Sequence, residues 1–226
     1  EKLVQRRDGT SVYMTQDIGL AEQKYEEYQI SQSIYVVGDE QNYHFKVLKL
    51  IAQKLGLPNA DGIFHLSYGM VELPSGKMKS REGTVVDADD LMAEMVQTAK
   101  ERTMELGKTD GFTEVASNEL YQQLGMGALK YFLLKVDPKK RMMFNPLESI
   151  DFQGNTGPFI QYTHARICSI TRKAKELGIK LTDVNKNVFE LNVTEIDLIY
   201  ILGQYKSIIE SAAEAFSPSL IAMYAY

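Results

Sequence analysis

The sequence predicts an α/β fold that continues into an all-α region. Two observations support this class. Over residues 11–73, short apolar runs alternate with segments of helical periodicity, which is the order of a parallel sheet whose strands are joined by right-handed crossover helices. From residue 87 onwards, helical patterns dominate. We therefore expect part of a parallel sheet followed by a helical bundle.

The α/β part is predicted from five segments: strands at 11–14, 34–37 and 62–73, and helices at 17–30 and 41–56. The run Ile-Tyr-Val-Val at 34–37 is apolar throughout, as in a strand that is covered on both faces. The second helix repeats apolar residues on one face, and Gly56 ends it. Thr15 or Asp17 can cap the first helix.

The helical part begins with the segment 87–106, whose first turn is acidic, as the positive end of a helix dipole favours. A polar, glycine-containing linker follows at 107–116. Further helices are predicted at about 117–136, 156–178 and 194–216, with another beginning at 217.

Composition limits the class of protein. The 226 residues carry a formal net charge of −5, which argues against a surface coated in nucleic acid but allows local basic patches. No apolar run approaches the roughly 18 residues that a membrane span needs, so we expect a soluble, cytoplasmic protein. The chain starts at Glu1 and its last eight residues form an apolar, helix-compatible run, so we expect both ends to be cut from a longer protein.

Cys168 is the single cysteine of the chain. No disulfide can form within the chain, which points to a reducing compartment. Because Ile167 and Ile170 lie close to it on a predicted helix, we interpret it as an inert thiol in the core. No grouping of His, Cys and acidic residues indicates a metal cluster.

The stretch Ser-Gly-Lys-Met-Lys-Ser-Arg-Glu-Gly at 75–83 places three cations, Lys77, Lys79 and Arg81, between two glycines. Such a loop can surround a triphosphate, because glycines allow close approach and the cations neutralise developing negative charge. The alternative is a solvated basic turn. Charge alone favours this second interpretation.

Polar residues also stand where predicted strands meet the following helices. Tyr13 and Asp17 follow the first strand, and Gln41 and His44 follow the second. Ligands of open α/β sheets bind at the carboxyl ends of strands, so these side chains are candidates for one converging site. Asp17 can bind a cation or merely cap its helix, and His44 by itself is more often structural.

Four stretches of the chain resemble arginyl-tRNA synthetases, a family of class I aminoacyl-tRNA synthetases. They occur in the order and spacing of that family and cover most of the chain. The stretches are DGTSVYMTQDIGLA, YVVGDEQNYHFKVLKLI, HLSYGMVELPSGKMKSREGTVV and FQGNTGPFIQYTHARICSI. With this resemblance, the phosphate-binding interpretation of the cationic loop becomes the favoured one.

The resemblance implies an arginine–tRNA ligase, which uses ATP with Mg²⁺ to form arginyl-adenylate and then transfers arginine to tRNA-Arg. The cationic loop corresponds to the Lys-Met-Ser-Lys-Ser signature of the class. Lys77 and Met78 match its first two positions, whereas Lys79 replaces the serine and Ser80 the second lysine. The resemblance therefore assigns catalysis to Lys77, Lys79 and Arg81, and leaves open which cation contacts the transition state.

The substrate sites follow from the same resemblance. The arginine site maps onto Tyr13, Asp17 and Gln41. A carboxylate such as Asp17 can accept a charge-assisted pair from a planar guanidinium, which lysine cannot reproduce. The ATP site maps onto the following residues: His44, Gly69, Met70, Lys77, Met78 and Ser80.

The resemblance also implies a domain division. Residues 1–152 are expected to be the second half of a Rossmann-type catalytic domain with a helical connection, and residues 153–226 the start of a helical anticodon-binding domain. Basic residues of the helical part are candidate tRNA contacts: Lys139, Lys140, Arg141, Arg166 and Arg172. Each of these charges is individually more often solvated than bound to RNA.

The other class I hallmark, a His-Ile-Gly-His sequence, does not occur in the 226 residues. In the family it lies well upstream, so we expect the isolated chain to lack ligase activity. We also expect the full-length enzyme to be a monomer. Two alternatives stay open. One is a synthetase for another amino acid, and the other is a non-catalytic RNA-binding or assembly protein derived from a synthetase.

Overall fold

The computed structural model describes residues 3–72, 87–107, 111–179 and 190–226. The chain divides into two compact units. The first comprises Glu1–Met70 with Pro138–Arg141, and the second comprises Val71–Asp137 with Met142–Tyr226.

The first unit is the α/β part. Its elements are α1 (Tyr13–Tyr28), β1 (Ser33–Gly38), α2 (Asn42–Leu55) and β2 (Ile63–Tyr68), with short 3-10 turns at Asp39–Gln41 and Ala60–Gly62. Strands β1 and β2 pair in parallel from Ser33 opposite Ile63 to Gly38 opposite Tyr68. Helix α2 connects them. The structure thus confirms the expected partial parallel sheet with a helical crossover.

The core of this unit explains why α2 forms where it does. Phe45, Leu48 and Ala52 recur at intervals of three and four and are buried, so one face of the helix covers the sheet. Leu48 packs with Phe45 and with Met14 of α1. Each large apolar side chain buried in this way contributes about 1.5–3 kcal/mol. Gly56 ends α2 in the left-handed conformation, as predicted.

The predicted strand at 11–14 is wrong. Ser11 makes only an isolated antiparallel bridge to Gln5, and α1 already begins at Tyr13 after Val12, which provides no side-chain cap. Thr15 and Asp17 therefore lie within α1 and do not cap it. The segment Ser-Val-Tyr-Met has a strand propensity, but the burial of Met14 and of Ala21, two turns later on the same face, favours a helix.

The predicted strand at 62–73 is interrupted. Strand β2 ends at Tyr68, and a separate two-residue strand, β3 (Val71–Glu72), pairs in parallel with β4 (Met142–Met143). Both of these short strands belong to the second unit. The break consists of Gly69 and Met70, which belong to neither strand.

The second unit is helical apart from β3 and β4 among its described residues. Its helices are α3 (Ala88–Glu105), α4 (Glu114–Leu134), α5 (Pro146–Ser149), α6 (Gly157–Glu176), α7 (Val193–Gly203), α8 (Tyr205–Ala215) and α9 (Ser219–Ala225). Side chains of Asp87, Thr113 and Thr156 cap α3, α4 and α6. The single helix predicted at 194–216 is divided at Gln204 into α7 and α8.

Helices α3 and α4 form the centre of the second unit. Met95 and Ala99 of α3 and Leu124 and Ala128 of α4 are buried in one apolar cluster. The two backbones approach closely because Gly125 has no side chain, and a Cβ atom there would lie 2.8 Å from the Met95 carbonyl oxygen. Within the described residues, no helix is both long and apolar enough to cross a membrane.

The interpretation of Cys168 as a core thiol is wrong. The residue is exposed, and its Sγ atom lies 3.4 Å from Nε2 of His164, one turn earlier on α6. Its neighbours Ile167 and Ile170 are exposed as well. Apolar neighbours on a helix indicate burial only when another element covers that face, and none of the described residues does so here.

Candidate active site at the carboxyl edge of the sheet

The carboxyl ends of β1 and β2 bring the predicted site residues of the first unit to one edge. Gly38, the last residue of β1, lies opposite Tyr68, the last residue of β2. A 3-10 turn, Asp39–Gln41, then leads directly into α2. Gln41 and His44 therefore lie at this edge, as the strand-to-helix pattern predicted.

Asp17 and His44 are in direct contact. The Nε2 atom of His44 lies 2.6 Å from Oδ2 of Asp17, and their side chains are 22% and 31% exposed, in the order His44 and Asp17. A neutral imidazole with its proton on Nε2, or an imidazolium, donates this hydrogen bond. The contact fixes the carboxylate while leaving part of it open to solvent, so Asp17 can accept a further donor.

Tyr13 lies one turn ahead of Asp17 on α1, and the two side chains share a helical face. Its side chain is 78% exposed. Gln41 precedes α2, is exposed, and makes no capping hydrogen bond to that helix. Both side chains are thus available to a ligand. The structure brings Asp17 and His44 together and leaves Tyr13 and Gln41 open at the same end of the unit.

Gly69 and Met70 follow β2. Gly69 is buried, and its amide donates to the carbonyl oxygen of Pro138 at 2.7 Å. A Cβ atom at Gly69 would lie 2.3 Å from the carbonyl oxygen of Lys140. The close approach that requires glycine here is therefore made by the segment Pro138–Arg141. Met70 is half-buried.

The predicted basic residues lie in two places. Lys139, Lys140 and Arg141 are exposed, and Nε of Arg141 lies 3.6 Å from Oδ2 of Asp39. Arg166 and Arg172 are exposed on α6 of the second unit. Lys77, Met78, Lys79, Ser80 and Arg81 lie outside the described residues.

Sequence reasoning missed two features of this edge, the Asp17–His44 contact and the Asp39–Arg141 ion pair. Asp39 directly follows the glycine that ends β1, which is the signal that could have identified it. Nothing in the local sequence indicates its partner, because Arg141 is far away along the chain. Among the described residues, no cluster of three or more His, Cys, Asp or Glu side chains could hold a metal ion.

Two family models match the chain. Residues 1–145 match the catalytic domain of class I tRNA synthetases (R). Residues 160–226 match the DALR anticodon binding domain. Together the two models match all of the chain except residues 146–159.

Curated relatives are similar over the whole chain. An arginine–tRNA ligase from Phocaeicola vulgatus is 58% identical over 225 residues, which are 100% of this chain and 37% of the relative. One from Porphyromonas gingivalis is 54% identical over 226 residues, again 100% of this chain and 38% of the relative. The chain thus spans somewhat more than a third of the length of these relatives.

Solved structures share the fold. Arginyl-tRNA synthetase from Thermus thermophilus aligns with a TM-score of 0.80 at 23% identity, covering 99% of this chain and 41% of that protein. The enzyme from Plasmodium falciparum aligns with a TM-score of 0.79 at 24% identity, covering 98% and 37%.

Proposed function

The chain belongs to the class I tRNA synthetases for arginine, and from this premise we propose that the longer protein containing it is an arginine–tRNA ligase. It would use ATP to activate L-arginine as arginyl-adenylate, release pyrophosphate, and esterify the 3′ end of tRNA-Arg. The observation that carries this proposal is the Asp17 carboxylate, which His44 holds at 2.6 Å beside the carboxyl edge of the sheet.

Asp17 would recognise the guanidinium of arginine. A guanidinium is a planar fork of donors and suits a carboxylate that is fixed in one orientation. His44 supplies this fixation from α2. Tyr13 on the same face of α1 and Gln41 ahead of α2 would bind the remaining polar atoms of the amino acid.

ATP would bind beside this pocket. His44, Gly69 and Met70 would line the adenosine, and Met78, Ser80 and the cations Lys77, Lys79 and Arg81 would face the triphosphate. Cations at this position stabilise the negative charge that develops as pyrophosphate leaves. Mg²⁺ would be held mainly by the phosphates, because it keeps several waters and needs few protein ligands.

The helical part would hold the tRNA. We place the boundary after residue 152, with the anticodon-binding domain starting at 153. Exposed cations of α6, Arg166 and Arg172, would contact phosphates, which position an RNA without reading its sequence. Lys139, Lys140 and Arg141, which belong to the first unit, are further candidates. The protein would act in the cytoplasm, as a monomer at full length.

Aminoacylation by the full-length protein tests the proposal. We expect ATP-dependent charging of tRNA-Arg with arginine, and rejection of lysine by a factor of about 10⁴ or more, because lysine leaves the polar site unpaired. Preferential charging with another amino acid would identify a different synthetase. Binding of tRNA without any charging would favour the non-catalytic alternative.

A further inference from the structure

The segment Pro138–Arg141, which we call the brace, contacts the ends of both strands of the parallel sheet. We propose that Arg141 of the brace is a positioning residue for arginine and ATP, acting through Asp39, and not primarily a tRNA contact. This inference rests on the proposed function. It assigns to Arg141 a role other than the phosphate contact that its charge suggests.

The first contact of the brace is with the end of β2. The amide of Gly69 donates to the carbonyl oxygen of Pro138 at 2.7 Å. Next to it, the peptide of Lys140 and Arg141 occupies the space where a side chain of residue 69 would stand, with atoms 2.3–2.6 Å from an ideal Cβ position. The brace therefore fixes the backbone immediately after β2.

The second contact of the brace is with the end of β1. Nε of Arg141 lies 3.6 Å from Oδ2 of Asp39, whose side chain is 23% exposed. The other carboxylate oxygen, Oδ1, is buried and has no hydrogen-bond partner among the described residues. Although the Asp39 side chain is partly exposed, its buried oxygen without a partner makes the negative charge costly, and a nearby cation offsets that cost. Arg141 provides that cation.

Asp39 and Gly69 lie next to the proposed substrate positions. Asp39 opens the turn that carries Gln41, and α2 with His44 follows this turn at once. Gly69 is itself a proposed adenosine contact. A brace that fixes both strand ends thus controls the arginine side through Asp39 and the ATP side through Gly69. Because the ion pair anchors the brace at the end of β1, losing it should loosen the brace at Gly69 as well and so weaken the binding of both substrates.

The geometry also argues against a primary role of Arg141 on RNA. A carboxylate 3.6 Å from its Nε atom offsets the positive charge that a phosphate would sense. Asp39 would in addition repel an approaching phosphate. A residue whose main role is to bind RNA phosphates binds them more strongly without a carboxylate beside it.

Steady-state aminoacylation by the full-length protein separates the two roles. The variants are Arg141→Met, which removes the cation, Arg141→Lys, which keeps the charge but loses the planar fork, and Asp39→Asn. The matched control is Arg102→Met on α3, because Arg102 also pairs with a carboxylate, Glu105 at 3.1 Å, on an exposed surface. For each variant, kcat/KM is measured for arginine, ATP and tRNA, the last at several salt concentrations.

We expect Arg141→Met to lower kcat/KM for arginine and for ATP by about tenfold each, and to leave the value for tRNA within about twofold. Arg141→Lys should fall between wild type and Arg141→Met, Asp39→Asn should resemble Arg141→Met, and the control should match wild type. If Arg141→Met does not fold, the same pattern of kcat/KM values in Arg141→Lys and Asp39→Asn tests the inference.

A selective loss for tRNA, with a salt dependence reduced by about one unit of slope, would overturn the inference in favour of an RNA contact. Wild-type values for all three substrates in the Arg141 and Asp39 variants would overturn it as well. In both cases the wild-type ligase remains active, so the proposed function stands. A wild-type protein that charges no tRNA would contradict both the proposed function and this inference.

Discussion

The imidazole of His44 on α2 lies 2.6 Å from the carboxylate of Asp17 on α1. This contact joins two helices of the first unit at the carboxyl edge of the parallel sheet. It also links the residue that the family resemblance assigns to arginine with one that it assigns to ATP. The two proposed substrate sites therefore share a hydrogen bond.

Removing this bond should weaken arginine binding even though His44 is on the proposed ATP side. In the full-length protein we expect His44→Leu to raise the KM for arginine about tenfold, because Asp17 loses a hydrogen bond between charged or polar groups that contributes roughly 1.5–3 kcal/mol. His44→Gln keeps a donor and should lose less. The control is His164→Leu on α6, where the histidine is exposed. An arginine KM unchanged by His44→Leu would show that Asp17 needs no support from α2.

The close approach at Gly69 predicts a large effect from a small substitution. Gly69→Ala should destabilise the protein by about 1–3 kcal/mol, because the backbone of the brace must move to admit a methyl group. Urea unfolding measures the change. The control is Gly19→Ala on α1, where nothing lies within 4 Å of the added atom. There we expect a gain of up to about 1 kcal/mol from helix propensity. Equal effects at the two sites would contradict the packing described here.

Tyr131 on α4 predicts a change of stability at alkaline pH. Its hydroxyl contacts Oδ1 of Asn155 and lies 3.2 Å from the carbonyl oxygen of Ala222. Burial, with a smaller contribution from Tyr226, raises the pKa of Tyr131 above its ordinary value of 10.0. At neutral pH, Tyr131→Phe should lower the free energy of unfolding by about 0.5–1.5 kcal/mol.

The sign of the pH effect follows from that raised pKa. Above pH 10 the tyrosine of the unfolded chain ionises before the folded one, so the unfolded state gains stability. The advantage of wild type over Tyr131→Phe should therefore be constant below pH 10 and shrink above it. Tyr200→Phe, at an exposed tyrosine of α7, should show no such loss. An advantage that grows above pH 10 would mean that the folded state favours the phenolate.

The exposed cations of α6 predict a salt-dependent effect on tRNA. Arg166→Ala combined with Arg172→Ala should weaken tRNA binding and reduce the slope of log affinity against log salt by about 1–2 units, since each lost phosphate contact removes roughly 0.7–0.9. Filter binding at four salt concentrations measures this slope. The control Lys206→Ala on α8, whose lysine pairs with Glu210 at 3.7 Å, should leave it unchanged. An unchanged slope in the double variant would place the tRNA elsewhere.

Local sequence patterns correctly predicted helix α2 and the parallel pairing of β1 with β2. Helix α2 was predicted because its buried face recurs at helical spacing and Gly56 ends it. The parallel pairing of β1 and β2 followed from the alternation of strand and helix. The start of α1 was predicted wrongly, because the strand propensity of residues 11–14 is overruled by the burial of Met14.

Long-range contacts explain what the sequence did not reveal. The Asp39–Arg141 pair joins residues far apart along the chain, and neither has a local signal for the other. Burial of Cys168 was expected from its apolar neighbours, yet burial depends on a covering element that no local pattern describes. The Asp17–His44 contact depends on how α1 packs beside α2. The predicted roles of the site residues come from the family resemblance and remain predictions.

Calorimetric binding of arginine and citrulline to the full-length protein tests the central claim that Asp17 recognises a guanidinium. Citrulline has nearly the same shape as arginine but carries a neutral ureido group. We predict that wild type binds arginine roughly 10–100-fold more tightly than citrulline, as expected for a hydrogen bond between charged groups. Asp17→Asn should abolish this preference. The control variant Glu27→Gln, on the exposed face of α1, should retain it. Equal affinities for the two ligands in wild type, or an undiminished preference in Asp17→Asn, would contradict the account.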